Sequence, residues 1–222
     1  MTRSADIIEN QSGKRTDAQR PGPAMTLGPA AEEDVFRARF YALLSSLLAR
    51  PADADMLAAL SAIEGDESPL GQALKGLSAA ARAADEEAVE DEFTLLFYGQ
   101  GQGGELLPYA SHYLTGLLYE RPLAELRRAM AVLGMEKDGL KGEPEDHIAC
   151  VLEIMHALIL APDGGESCLR KQKDFFTTHV LPWAGAFFSD LQTAKSAGFY
   201  RSVGRLGEVF MEIESEGFGM VD

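Results

Sequence analysis

The sequence predicts an all-α fold, a single globular domain of roughly nine or ten helices, and three observations carry that prediction. Apolar residues recur every three or four positions along most of the chain. Prolines, glycines and Ser or Asp caps stand between these periodic stretches rather than inside them. No run alternates apolar and polar residues between turn dipeptides, and no internal repeat is present.

Residues 1–30 are polar, lack a period and include PGPAMTLGPA, so they read as a disordered extension ahead of a helical domain over 31–222. The first helix begins near Glu32 and is stopped by Pro51, with Phe36, Phe40, Leu43, Leu44, Leu47 and Leu48 as its apolar stripe. Asp53 caps a second helix running to about Glu64. Ser68-Pro69, a cap followed by proline at the first helical position, opens a third over Leu70 to Arg82. Asp85 to Tyr98 forms a fourth, with Val89, Phe93, Leu96 and Phe97 inward, and Gly99 to Gly104 (GQGQGG) is a flexible break.

Leu107 to Tyr119 predicts a helix after Pro108, and Pro122 to Leu133 another, ended by Gly134. Pro144 opens the most periodic stretch, in which Ile148, Val151, Leu152, Met155, Leu158 and Ile159 share a face. Two further helices lie near Cys168 to His179 and Leu181 to Leu191, joined at Pro182. The last runs from Phe199 to about Ile213, with Tyr200, Val203, Leu206, Phe210 and Ile213 inward.

Charge narrows the partners. The net charge is −15 over 222 residues; residues 1–30 hold four basic and three acidic residues, so the remainder carries −16. Such a body repels nucleic-acid phosphates and anionic membranes and suits a basic peptide. Two cysteines, Cys150 and Cys168, are too few for a disulfide framework and are expected to be reduced thiols. No stretch approaches the roughly 20 apolar residues that span a bilayer. The N-terminus lacks the order of a secretory leader and has no Arg-Arg pair, so a cytoplasmic location is expected.

Few residues invite chemistry. GQGQGG follows a helix and precedes Glu105, the wrong setting for a phosphate loop. Glu153 and His156 have the Glu-x-x-His spacing of di-iron helices, yet the chain has no second copy. His147, Cys150 and His156 do not share a helix face well enough for zinc. Ser111-His112 are adjacent and point apart. No catalytic residue, metal or cofactor is expected.

The most distinctive segment is Glu143-Pro144-Glu145-Asp146-His147. Proline and acids at a helix start are ordinary, since acids there face the positive end of the dipole. The same three acids beside a His, after Gly139 and Gly142, also suit holding a guanidinium, which a carboxylate accepts in a bidentate way.

Three blocks carry a family resemblance. The first is Glu92-Phe93-Thr94-Leu95-Leu96-Phe97-Tyr98-Gly99 with Leu107-Pro108-Tyr109-Ala110-Ser111-His112-Tyr113-Leu114. The second is Glu143-Pro144-Glu145-Asp146-His147. The third is Phe175-Phe176, His179 and Trp183, then Phe199-Tyr200. In this order, over about residues 33–214, they resemble the TorD/DmsD/NarJ family of molybdoenzyme maturation chaperones. Tyr109 stands where family members often have Trp.

The resemblance implies an all-helical, non-enzymatic chaperone. Its partners would be the twin-arginine signal peptide and the apo catalytic subunit of a molybdopterin oxidoreductase. The wording around GQGQGG and ELLPYAS is most similar to chaperones of formate dehydrogenases. By matched position, Asp146 and His147 would bind the peptide, Glu143 and Pro144 would shape a hinge with Glu145 as a further acid, and Tyr109, Ser111 and Tyr113 would line a wall. Leu107, with Leu106 and Phe97, offers either an apolar groove for the peptide or simply core. The alternatives are a chaperone of a cytoplasmic nitrate reductase and a metalloenzyme in a helical scaffold. Nothing in the sequence decides between monomer and dimer.

Overall fold

A computed structural model describes residues 29–99, 103–136, 142–161 and 166–221. The expected N-terminal extension, apart from Pro29 and Ala30, lies outside the described residues, as do 100–102 of the glycine break and Gly139. Among the described residues the fold is ten α-helices: α1 (Pro29–Ala49), α2 (Ala54–Ser61), α3 (Pro69–Ala83), α4 (Glu86–Phe93), α5 (Ala110–Thr115), α6 (Arg121–Leu133), α7 (Ile148–Ile159), α8 (Glu166–Phe175), α9 (Ala184–Thr193) and α10 (Phe199–Gly219). The all-α expectation holds.

The helix starts follow the capping residues. Asp53, Ser68 and Asp85 accept side-chain hydrogen bonds from the N–H groups of Met56, Gly71 and Ala88, relieving donors that have no partner inside the helix. α4 and α8 each end in a wide π-type turn, Thr94–Tyr98 and Phe176–Val180. The N–H of Gly99 donates to Thr94 O at 2.7 Å, and that of Leu181 to Phe176 O at 2.8 Å. After the first of these turns the chain folds back, so that Glu105 and Leu106 N–H reach Leu95 and Leu96 O at 3.1 and 2.8 Å. Gly104 permits this return: a Cβ there would sit 2.4 Å from the Phe97 carbonyl carbon.

α1 packs along α7, and α10 lies against α9 and α3. Between them Tyr41, Leu44, Leu48, Met155, Phe187 and Tyr200 are fully buried. Ser45 Oγ donates to Ala149 O at 2.8 Å, a sign of close α1–α7 approach. Gly207 does the same for α10 and α9, because a Cβ there would stand 2.2 Å from the Phe188 ring.

Four expectations need correction. The helix expected over Leu107 to Tyr119 is confined to Ala110–Thr115. Pro108 and Tyr109 are instead drawn into pairing with another segment, and Gly116 at φ 80° turns the chain away. Pro144 does not open α7, which starts at Ile148 with His147 as its cap. Phe36 is exposed, leaning edge-on against Phe40 with ring centroids 4.8 Å apart. Ile213 is 42% exposed, whereas its neighbour Glu214 is only 4% exposed. Glu214 turns inward because Arg37 donates to both its oxygens at 2.7 and 2.8 Å and Tyr41 OH adds a third bond at 2.9 Å. A buried acid with that many charge-assisted partners outcompetes a single isoleucine for the inward position.

Candidate functional site

The two motif segments meet on one rung of antiparallel pairing. Tyr109 opposes His147; Ala110 N–H donates to Asp146 O at 2.9 Å and Ile148 N–H to Pro108 O at 2.8 Å. Pro108 fits here because it supplies only an acceptor. Two bonds thus join the chain before α5 to the chain before α7, and across that joint Tyr109 meets Glu143 and His147 while Ser111 meets Asp146; Tyr113 and Glu145 instead find partners on α9 and α6.

Each acid of the turn has a distinct place. Asp146 is 1% exposed. Its Oδ2 accepts the Ser111 N–H at 2.8 Å, while Oδ1, also buried, has no hydrogen-bond partner. Glu143 is half-buried and accepts the Tyr109 hydroxyl. Burial, reinforced by the Glu143 carboxylate, holds the Tyr109 phenol well above its ordinary value, so it stays a donor. Glu145 takes Arg127 of α6, whose Nε lies 2.8 Å from Oε2. Pro144 O accepts the N–H of His147 at 3.1 Å and so closes the turn.

His147 is buried, and its Nδ1 accepts the Ala149 N–H at 3.2 Å, which makes the ring itself the cap of α7. The rings of His147 and Tyr109 meet edge to face at 5.3 Å. His147 thus caps α7, while Asp146 accepts an N–H from the first turn of α5.

The wall residues divide. Ser111 is fully buried, and its Oγ accepts the Glu120 N–H at 3.3 Å. Tyr113 is half-buried, packs on Trp183 at 5.6 Å and donates to Asp190 Oδ2 at 3.0 Å. Burial and that carboxylate raise its phenol also. Leu107 is half-buried, and Leu106 and Phe97 pack partly on the core. Exposed apolar surface lies farther on, at Leu114, Leu117, Leu118 and Tyr119, the last at a positive φ of 61°. Sequence reasoning missed Arg127 and Asp190, the partners of Glu145 and Tyr113. Both sit on helices remote in sequence, and no local spacing points to them.

The metal candidates do not assemble. Among the described residues no group of three or more His, Cys, Asp or Glu side chains is placed to hold an ion. His156 Nδ1 is instead 2.8 Å from Ala38 O. Among the same residues no helix is long and apolar enough to cross a membrane.

Proteins similar to this chain in sequence include chaperones. The chaperone protein TorD of Vibrio parahaemolyticus is 29% identical over 200 residues, spanning 81% of this chain and 93% of that protein. TorD of Vibrio cholerae is 29% identical over 196 residues, 79% and 89% of the two chains. A crystal structure of a candidate redox enzyme maturation protein from Archaeoglobus fulgidus overlaps loosely, at a TM-score of 0.49 and 18% identity, over 87% of this chain and 99% of that one. Residues 63–189 match the family described as the nitrate reductase delta subunit. That match covers more than half of the sequence, and the chain belongs to this family, the TorD/NarJ group of maturation chaperones.

Proposed function

We propose that the protein binds the twin-arginine signal peptide of a molybdopterin oxidoreductase in the cytoplasm, together with the apo catalytic subunit, and delays export until the cofactor is inserted. Its work is occupancy: a covered signal is unavailable to the export machinery, and release follows when the folded client no longer favours the bound state. The observation that carries the reading is Asp146 Oδ1, a buried carboxylate oxygen with no partner, at the joint where the chain before α5 pairs with the chain before α7. Leaving such an acceptor unpaired costs about 1–3 kcal/mol, which an arriving guanidinium offsets. Acids on the turn and exposed apolar residues beyond α5 match a peptide that is basic first and apolar afterwards.

A formate dehydrogenase is the client proposed first, on the likeness of the GQGQGG and ELLPYAS segments. A cytoplasmic nitrate reductase is the second, because the matching family carries that enzyme's name. Calorimetric titration with signal peptides from formate dehydrogenase, dimethyl sulfoxide-type and nitrate reductase precursors separates them. Saturable binding, tightest for the formate dehydrogenase peptide, is expected. Binding to none of the three peptides contradicts the export reading and leaves the cytoplasmic client.

A further inference from the structure

The acids of the 143–147 turn already hold donors from this chain, and one of those donors is itself an arginine. Arg127 brings Nε and Nη2 each to 2.8 Å from Glu145 Oε2. Its side chain is 57% exposed and that of Glu145 17%, so a sheltered acid is met by a guanidinium reaching in from solvent. Beside the pair lies an open cavity of about 410 Å³. Met130, Gly134 and Met135 form its apolar side, and Glu136 joins Glu145 as a second acid. Thioethers adapt to varied apolar partners, and carboxylates take guanidinium forks. The hollow is thus complementary to an arginine followed by apolar side chains.

We propose that this hollow, between α6 and the 142–147 turn, seats an arginine of the client's peptide, and that Arg127 is an internal stand-in which the incoming guanidinium displaces from Glu145. The proposal rests on the peptide-binding reading above and adds a surface on α6, distinct from the wall built by 107–113. Exchange of one guanidinium for another keeps Glu145 paired throughout, so the buried side of the ion pair is never stripped. A lysine is a poorer substitute, because its compact ammonium cannot reproduce the planar fork. The exposed Arg127 contributes little to stability, which allows it to leave.

The test uses the full chain at near-physiological salt and a synthetic peptide carrying Arg-Arg followed by apolar residues. Arg127→Gln is expected to bind it about two- to fivefold tighter, the range an exposed pair represents. Arg128→Gln removes the same charge, but Arg128 Nε donates to Ala124 O rather than to an acid of the turn; its affinity should stay near wild type. Adding Glu145→Gln to Arg127→Gln should erase the gain. Wild-type binding with equal affinity in both arginine variants, or weaker binding by Arg127→Gln, overturns the inference and leaves the peptide reading standing. Failure of the wild-type protein to bind overturns both.

Discussion

At Asp146 one carboxylate oxygen takes a backbone N–H and the other, equally buried, takes nothing. Most buried acceptors are satisfied, and this exception at the meeting point of two motifs is the one that the proposed peptide contact would fill. The sequence singled out Asp146 but left it two roles, helix-start acid or receptor. In the structure His147 caps α7, while Asp146 serves the first turn of α5 by accepting the Ser111 N–H. Burial was not legible, because it depends on Ser111 from a segment 35 residues earlier. His179 yields a separate prediction at this scale. It packs on Phe175 at 5.0 Å, and burial holds its imidazole below the ordinary value, with Glu125 opposing. The unfolded chain therefore takes up a proton at the ordinary value while the folded chain resists it. Stability is full above about pH 6.5 and is lost as pH falls below it. Melting temperatures measured from about pH 7.5 to 5.5 should fall less steeply for His179→Gln than for wild type; parallel slopes would show that this ring does not contribute.

Helix boundaries were legible wherever a local device sets them. Asp53, Ser68 and Asp85 cap as expected, and Gly134 at φ 68° ends α6. They were not legible where a partner from elsewhere decides. α10 begins without a side-chain cap of its own. Glu92 of α4 supplies one across the fold: its oxygens accept the N–H groups of Gly198, Phe199 and Tyr200 at 2.8, 2.9 and 2.7 Å. A carboxylate there satisfies three orphan donors and sits at the positive end of the helix dipole. Glu105, past the glycine break, holds Lys195 and Ser196 N–H at 2.6 and 3.0 Å, so two acids from one stretch clasp the α9–α10 link. Glu92→Ala should lower unfolding free energy by roughly 1–3 kcal/mol, read from urea denaturation. Glu90→Ala, on the exposed side of the same helix, should stay within about 0.5 kcal/mol. Equal effects would mean that the cap contributes nothing beyond general charge.

Across the whole molecule, three blocks separated in sequence do different jobs. Residues 107–113 and 143–148 build the candidate site, whereas Phe176, Trp183 and Tyr200 are core, touching the site through the Tyr113–Trp183 contact. The all-α class was legible because helical periodicity is a local signal. The inward turn of Glu214 was not, because only the placement of Arg37 and Tyr41 against α10 makes an acid preferable to Ile213 there. The same limit hid Arg127, which meets Glu145 only after α6 and the turn are in place. The acidic balance, −15 overall, favours cationic partners but names no contact.

The central claim is that Asp146 receives a guanidinium, and a calorimetric double-mutant cycle tests it most directly. Wild type and Asp146→Asn are each titrated with an Arg-Arg peptide and its Lys-Lys counterpart. The account predicts that Asp146→Asn keeps its helical content, binds the Arg-Arg peptide roughly 1.5–3 kcal/mol more weakly, and loses most of the preference for arginine over lysine. An Asp146→Asn protein that binds the Arg-Arg peptide as wild type does, with its preference intact, would contradict it.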